Sequence, residues 1–276
     1  MKKKLVILVL LSTFIFLAFR MLENNPAVSF LNSLDDHQKK MSQFNFDDSS
    51  RTIWHFLPGA MWPRPGIPLF ELNPSQKELL YKLLQAHLSQ TGYKKTLKII
   101  DLENVLAEIS GNSNFRDSEK YYTAFYGNPE TDNIWAWSFE GHHISLNFSV
   151  VSDNISIVPR FMGASPATIK EGHRKGERTL AKEEDYGFQL IHSLTTEQKQ
   201  EAIFQKTSLA DIVTSNSSEV GALTPVGIKM GDLNKKQQAF LSDLLGEYLS
   251  TMPKVLAEKR MENIKSEEFN DIRFGW

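Results

Sequence analysis

Leu79, Leu80, Leu83, Leu84 and Leu88 recur at the three- and four-residue spacing of one helix face. They predict an amphipathic helix that opens at the capping-box pair Ser75 and Glu78. "KTLKIIDLENVLAEI" repeats the pattern through Leu97, Ile100, Leu102, Val105, Leu106 and Ile109, and predicts a second helix. "DSEKYYTAFYG" predicts a short third one, ended by Gly127. The period then changes. In "WAWSFEGHHISLNFSV", Trp135 to Val150, apolar residues fall at alternate positions and aromatic and β-branched types dominate. This predicts a β-hairpin, with "NISIVPRF" as a third strand. From Gly176 the helical spacing returns in "GERTLAKEEDYGFQLIHSL", in "TTEQKQEAIF" with Thr195 and Gln198 as its capping box, and in "LNKKQQAFLSDLLGEYLSTM". The whole reads as an α+β chain, its helices packed around a small antiparallel β-meander.

Two stretches fall outside this pattern. "WHFLPGAMWPRPGIPL", Trp54 to Leu69, holds four prolines and two glycines, so it is expected as an ordered loop pinned by its aromatics. At the start, "MKKK" precedes fifteen uncharged residues, Leu5 to Phe19. Residues 1–22 therefore fit a signal peptide or, because Phe19, Arg20 and Met21 offer no small-residue cleavage site, an uncleaved membrane anchor. Residues 23–50 are polar and weakly patterned and read as a tether, leaving 51–276 as a single α+β domain. An exported protein, periplasmic or at the cell surface, is the expectation.

A repeat runs through the domain. "GIPLFELNPSQKELLYKLLQAHLS" from Gly66 aligns without gaps to "GIKMGDLNKKQQAFLSDLLGEYLS" from Gly227. Shared leucines are common to amphipathic helices, but Gly66/Gly227, Asn73/Asn234, Gln76/Gln237 and Ser89/Ser250 also coincide. A duplicated or pseudo-symmetric fold follows. If the halves match, "NDIRFGW" begins a strand whose hairpin is missing, and the chain is expected to be shortened at its C-terminus.

Composition narrows the function. A formal net charge of −2 and the lack of a Lys/Arg cluster in the body of the chain argue against a nucleic-acid partner. With no cysteine there is no disulfide framework, thiolate metal site or lipoprotein cleavage site. No Gly-rich phosphate loop, Gly-x-Ser-x-Gly elbow, His-Glu-x-x-His or EF-hand pattern occurs.

The candidate chemistry lies in "EGHH". By strand parity His143 shares a polar face with Ser145 and Asn147, while His142 goes with Ile144, Leu146 and Phe148. Counted straight along the chain, Glu140 falls on the side of His142. A bulge at Gly141 would be needed for both imidazoles to serve one ion. The catalytic candidates are Glu140 and His143. The metal-ligand candidates are His142, His143, His55 and Glu184, with a divalent metal as the cofactor they would suit. Glu183 and Asp185 are further carboxylates in reach of that set. Arg160, Arg178 and Asn147 are ligand-binding candidates, Arg160 for an anionic group.

"WHFLPG" (Trp54 to Gly59), "EGHHISLN" (Glu140 to Asn147), "PRFMGASPA" (Pro159 to Ala167) and "GERTLAKEE" (Gly176 to Glu184) together resemble a bacterial family known as domain of unknown function 3500. The resemblance spans the chain from about residue 50 onward. It brings no activity with it. It implies further strands beyond Trp276, carrying a His-x-His and a Trp-Arg segment. Two functions are therefore expected as alternatives. One is metal-assisted or His/Glu acid–base hydrolysis of a small or carbohydrate-like substrate. The other is a non-enzymatic envelope module that binds a small-molecule ligand or a protein, with "EGHH" structural. The membrane is a partner only if the N-terminal segment is uncleaved.

Overall fold

The computed structural model describes residues 25–276 apart from Asp153 and Glu268. The export segment or anchor lies outside the described residues. The chain opens with α1 (Pro26–Ser33) and α2 (Asp36–Ser42), then β1 (Gln43–Phe44), and after the proline-rich loop β2 (Ile67–Pro68). Two long helices follow, α3 (Pro74–His87) and α4 (Gln90–Ser110). Next come β3 (Tyr122–Tyr126), β4 (Ile134–Gly141), β5 (Ile144–Val151) and β6 (Asn154–Met162). The remainder is α5 (Ala181–Ser193), α6 (Thr196–Ala202), β7 (Ile228–Lys229), α7 (Lys235–Leu249), α8 (Lys254–Ser266) and β8 (Arg273–Phe274). The fold is α+β. β3, β4, β5 and β6 form the antiparallel meander, β1 and β2 join the free edge of β3, and β7 pairs with β8 in a separate small sheet.

The alternation in "WAWSFEGHHISLNFSV" folds as a two-faced hairpin. Trp135, Trp137 and Phe139 stand across from Val150, Phe148 and Leu146 on one face. That face buries against Phe30 of α1, Leu80, Leu83 and Leu84 of α3, and Ile99 and Ile100 of α4. The Trp137 and Phe148 rings stack with centroids 4.2 Å apart, worth about 1 kcal/mol beyond their burial.

Three expectations need correction. Residues 25–50 are not a loose tether: α1 and its C-cap pack into the core through Ala27, Phe30, Leu31 and Leu34, and α2 follows with Gln38 and Ser42 buried and Met41 against the core. "DSEKYYTAFYG" is not a helix but contributes β3, whose last four residues are all buried. A strand covered on both faces loses its alternation and reads as a plain apolar run. The first capping box is Asn73 with Gln76, two residues ahead of Ser75 and Glu78. Pro74 at the first helical position, with its φ already fixed, starts the helix there.

The repeat is real in three dimensions and longer than its alignment. In both halves a short strand, a 3-10 turn and a capped helix follow one another: Ile67–Pro68, Leu69–Glu71 and α3, then Ile228–Lys229, Met230–Asp232 and α7. Asn73/Gln76 and Asn234/Gln237 form identical capping boxes. Each box glutamine also joins a glutamine from a preceding helix. Gln76 Nε2 donates to Gln38 Oε1 at 2.7 Å, and Gln237 Nε2 to Gln198 Oε1 at 2.8 Å. The same Nε2 atoms reach the carbonyls of Ser33 and Ser193. Thus α1–α2 corresponds to α5–α6, and β3 to β8. Leu69 N–H donates to Tyr121 O, as Met230 N–H does to Ile272 O. Gly66 and Gly227 hold φ of +101° and +84°, and a Cβ on either would sit 2.3 or 2.2 Å from the backbone oxygen of Thr123 or Phe274. The second half has its own core of Leu190, Ile191, Ile228, Met230, Leu241 and Phe274.

Candidate functional site

Gly141 pairs with Ile144, so His142 and His143 are the two residues of the hairpin turn rather than strand positions. His143 takes φ +60°, as one residue of so tight a loop must. Its N–H donates to Phe56 O and its carbonyl accepts from Gly163 N–H, both at 2.8 Å. Tyr121 Oη donates to His142 O at 2.9 Å, and the Tyr121 ring lies where a Gly141 Cβ would stand, 2.2 Å away. Gly141 is therefore required by the neighbouring ring, not by a bulge.

The two-residue turn also reverses parity. Glu140 stands across from Ser145, not beside His142. Ser145 Oγ donates to Glu140 Oε1 at 2.5 Å, and Asn147 Nδ2 to Ser145 Oγ at 2.9 Å. Arg64, from the proline-rich loop, completes this row, its Nε 3.7 Å from Glu140 Oε2. Its Nη2 donates to the carbonyls of His55, Leu57 and Gly141. Arg64 thus ties the loop to the hairpin. Burial pushes the Glu140 carboxyl up to about 7, against the opposing pull of Ser145, Arg64 and Asn147. Glu140, Ser145 and Asn147 form a hydrogen-bonded row underneath the loop, and Arg64 meets its end through charge, with its Nε left without a hydrogen-bond partner; together they form a brace, and Asn147 also donates to Pro159 O at 3.2 Å.

His142 finds a different carboxylate. Its Nδ1 touches Glu103 Oε1, reaching across from α4, and both side chains are largely buried. A carboxylate only accepts, so the ring proton belongs on Nδ1, which leaves Nε2 as the basic nitrogen. Arg116 Nη1, which only donates, lies 3.3 Å from the same Nδ1; with the ring proton there the two donors face each other, and the guanidinium acts on the site through its charge and not through a hydrogen bond. The His143 ring stacks on His142 with centroids 4.0 Å apart. Burial, then the charges of His142 and Arg116, hold His143 down at about 4, so it is neutral near pH 7.

The proposed metal set does not come together. His55 Nδ1 accepts the N–H groups of Phe56 and Leu57 at 2.9 and 3.1 Å, and its ring packs on Trp62. Glu184 and Asp185 pair with Arg178 near the surface, at 2.6 and 2.8 Å. Glu183 pairs with Lys95 of α4. Among the described residues no group of three His, Asp or Glu side chains is placed to hold a metal ion. Arg178 is thus occupied by carboxylates, whereas Arg160 donates to Thr251 Oγ1 at 2.7 Å. Sequence reasoning missed Arg64 and Glu103. Neither carried a local signal, since each acts on a residue far along the chain.

The fold and site define an α+β protein with an internally repeated helix–strand unit and an imidazole–carboxylate pair at a hairpin turn. The chain belongs to the family described as protein of unknown function (DUF3500), whose family model matches residues 23–276. Comparison with curated proteins and with solved structures gives no match.

Proposed function

We propose that the protein is a hydrolase working by acid–base chemistry, with His142 as the general base and Glu103 as its positioning residue. The observation that carries the reading is the contact between His142 Nδ1 and the buried Glu103 carboxylate. Such a partner fixes the tautomer and stabilises the imidazolium that forms when Nε2 takes a proton from water. It supports an uncatalysed-to-catalysed gain of about 10²–10⁴-fold from proton transfer alone. Glu140 leaves the catalytic role to Glu103, because it is engaged with Ser145 and Arg64. A small substrate is the expectation, since the loop carrying Phe56 is hydrogen-bonded to the turn at His143 N–H. The reading places the reaction outside the cytoplasm on the strength of the apolar run Leu5 to Phe19, which cell fractionation checks.

The test is a panel of p-nitrophenyl esters and glycosides, assayed with the wild type, His142→Gln and Glu103→Gln. The expected result is turnover of at least one probe, abolished in His142→Gln and reduced about 10–100-fold in Glu103→Gln. Turnover equal to wild type in a folded His142→Gln sinks the proposal. The competing reading is a binding module in which "EGHH" is structural. It is favoured by the backbone bonds of the turn to Phe56, Gly163 and Tyr121. A panel with no turnover, together with a His142→Gln chain of much lower melting temperature, would decide for it.

A further inference from the structure

Where the two halves of the chain meet, β6, the start of α5 and the end of α7 enclose a cavity of about 310 Å3. That volume is at the low end of the roughly 300–1,000 Å3 of small-molecule sites. Met162 and Leu180 supply apolar wall, and Arg160, Glu183, Tyr248 and Thr251 supply polar groups.

The polar groups are incompletely used. The Arg160 guanidinium spends Nη1 on Thr251 Oγ1. Among the described residues it has no carboxylate within ion-pair distance, and its charged neighbour is a second guanidinium, Arg260. Arginine carries five N–H donors, so most of its capacity is free. Opposite, Glu183 Oε1 takes the Lys95 ammonium at 2.5 Å, while its Oε2 is buried without any hydrogen-bond partner. A buried acceptor left unmet costs about 1–3 kcal/mol. Lys95 is shared with Glu247, which also meets Lys182. Of the charged residues, the cavity wall itself carries one cation, Arg160, and one anion, Glu183.

We propose that this cavity binds a small molecule carrying one carboxylate, which Arg160 grips, and a hydroxyl or ammonium group, which donates to Glu183 Oε2. The planar guanidinium matches a carboxylate in a two-pronged pair. The Glu183 carboxylate in the same cavity repels a dianionic phosphate more than a monoanion. Met162 and Leu180 call for a short branched apolar tail beside the two polar groups. The site is independent of the hydrolase reading, since neither His142 nor Glu103 lines it.

The experiment is titration of the full chain, followed by methyl NMR at Met162 and Leu180 and by calorimetry. The probes are leucine, 2-hydroxy-4-methylpentanoate, 4-methylpentanamide and inorganic phosphate. Leucine and the hydroxy acid should bind, the amide and phosphate should not, and Arg160→Gln should weaken binding at least about tenfold. Arg160→Lys, which keeps the charge but loses the fork, should weaken it less. Met162→Phe narrows the cavity without touching a charge and should weaken binding too, which covers the case of an Arg160 variant that fails to fold. Unchanged affinity in folded Arg160→Gln or Met162→Phe overturns the proposal. So does silence of both acids at millimolar concentration, or binding of phosphate in their place. Because every readout is binding, a failed hydrolase assay leaves this result standing, and the reverse.

Discussion

Replacing His87 by leucine turns a buried imidazole into a measurable pH dependence. His87 ends α3 and packs its ring against Trp135, Trp137 and Phe148, with Trp137 Nε1 donating to its Nδ1 at 2.8 Å. That nitrogen must stay unprotonated to accept. Burial holds the ring at about 4, below the 6.5 of an exposed histidine. Between those values the unfolded chain binds more protons than the folded one. The stability from His87 is therefore complete above about pH 6.5 and drains as pH falls toward 4. Between pH 7 and pH 5 the loss is about 2 kcal/mol. His87→Leu removes that loss but leaves the Trp137 N–H buried and unpaired, a cost of about 1–3 kcal/mol at any pH. Urea unfolding of both chains, followed by tryptophan fluorescence, should show the variant less stable near pH 7. The gap should shrink by about 2 kcal/mol near pH 5, or invert. His143, also held near 4, titrates in both chains and cancels. A gap of the same size at both pH values would refute the reasoning, because His87 would then bind its proton equally in the folded and unfolded chain.

Gly66→Ala and Gly227→Ala should each destabilise by about 2 kcal/mol or more, since a Cβ meets backbone oxygen at 2.3 and 2.2 Å and φ is positive at both; melting temperatures of the two variants test this, and a change within error at either site contradicts the close approach there. Arg64→Met removes the cation beside the buried Glu140, which is only about half ionised near pH 7, so the cost should grow from pH 5.5 to pH 8.5 toward about 3–5 kcal/mol, with Glu140→Gln added in the same chain restoring part of it; a double-mutant cycle with no coupling would remove Arg64 from the brace. Glu140 is raised from 4.5 to about 7, so the folded chain holds the extra proton in that window and stability declines as pH rises through it; Glu140→Gln should flatten that decline, read from urea midpoints at pH 5 and 7.5.

The long helices and the hairpin were legible because their burial is one-sided. Leu80, Leu83 and Leu84 face one core, and Trp135, Trp137 and Phe139 face it from the sheet. β3 hid itself because it is covered on both faces, so its aromatics carry no period. α1 and α2 were hidden by composition, since Phe30, Leu31 and Leu34 do the burying for α1 while α2 buries the polar Gln38 and Ser42. The repeat showed itself only where it is long. Its earlier part shares little more than Ser33/Ser193, Leu34/Leu194, Gln38/Gln198 and Lys39/Lys199, and needs the paired glutamines in space to be seen. Within the hairpin, counting straight through "GHH" put Glu140 on the wrong face, because a two-residue turn shifts every later side chain by one. Glu103 and Arg64 act 39 and 76 residues away from His142 and Glu140, and one sequence holds no signal for pairs at that range.

The repeated unit imposes an order of events as the chain emerges during synthesis. β1 and β2 both join β3, yet more than seventy residues separate Phe44 from Tyr122 (122 − 44 = 78). Until Tyr122–Tyr126 appears, α1, α2 and α3 have a buried face but no sheet to lay it on. The second unit repeats the delay, because β7 closes only on Arg273 and Phe274. Contacts of such separation carry a loop-closure cost before they return any stabilisation, and they slow folding. Each unit therefore waits on its last strand, and the glutamine pairs Gln38–Gln76 and Gln198–Gln237 join the helices and the 3-10 turn with segments that precede that strand.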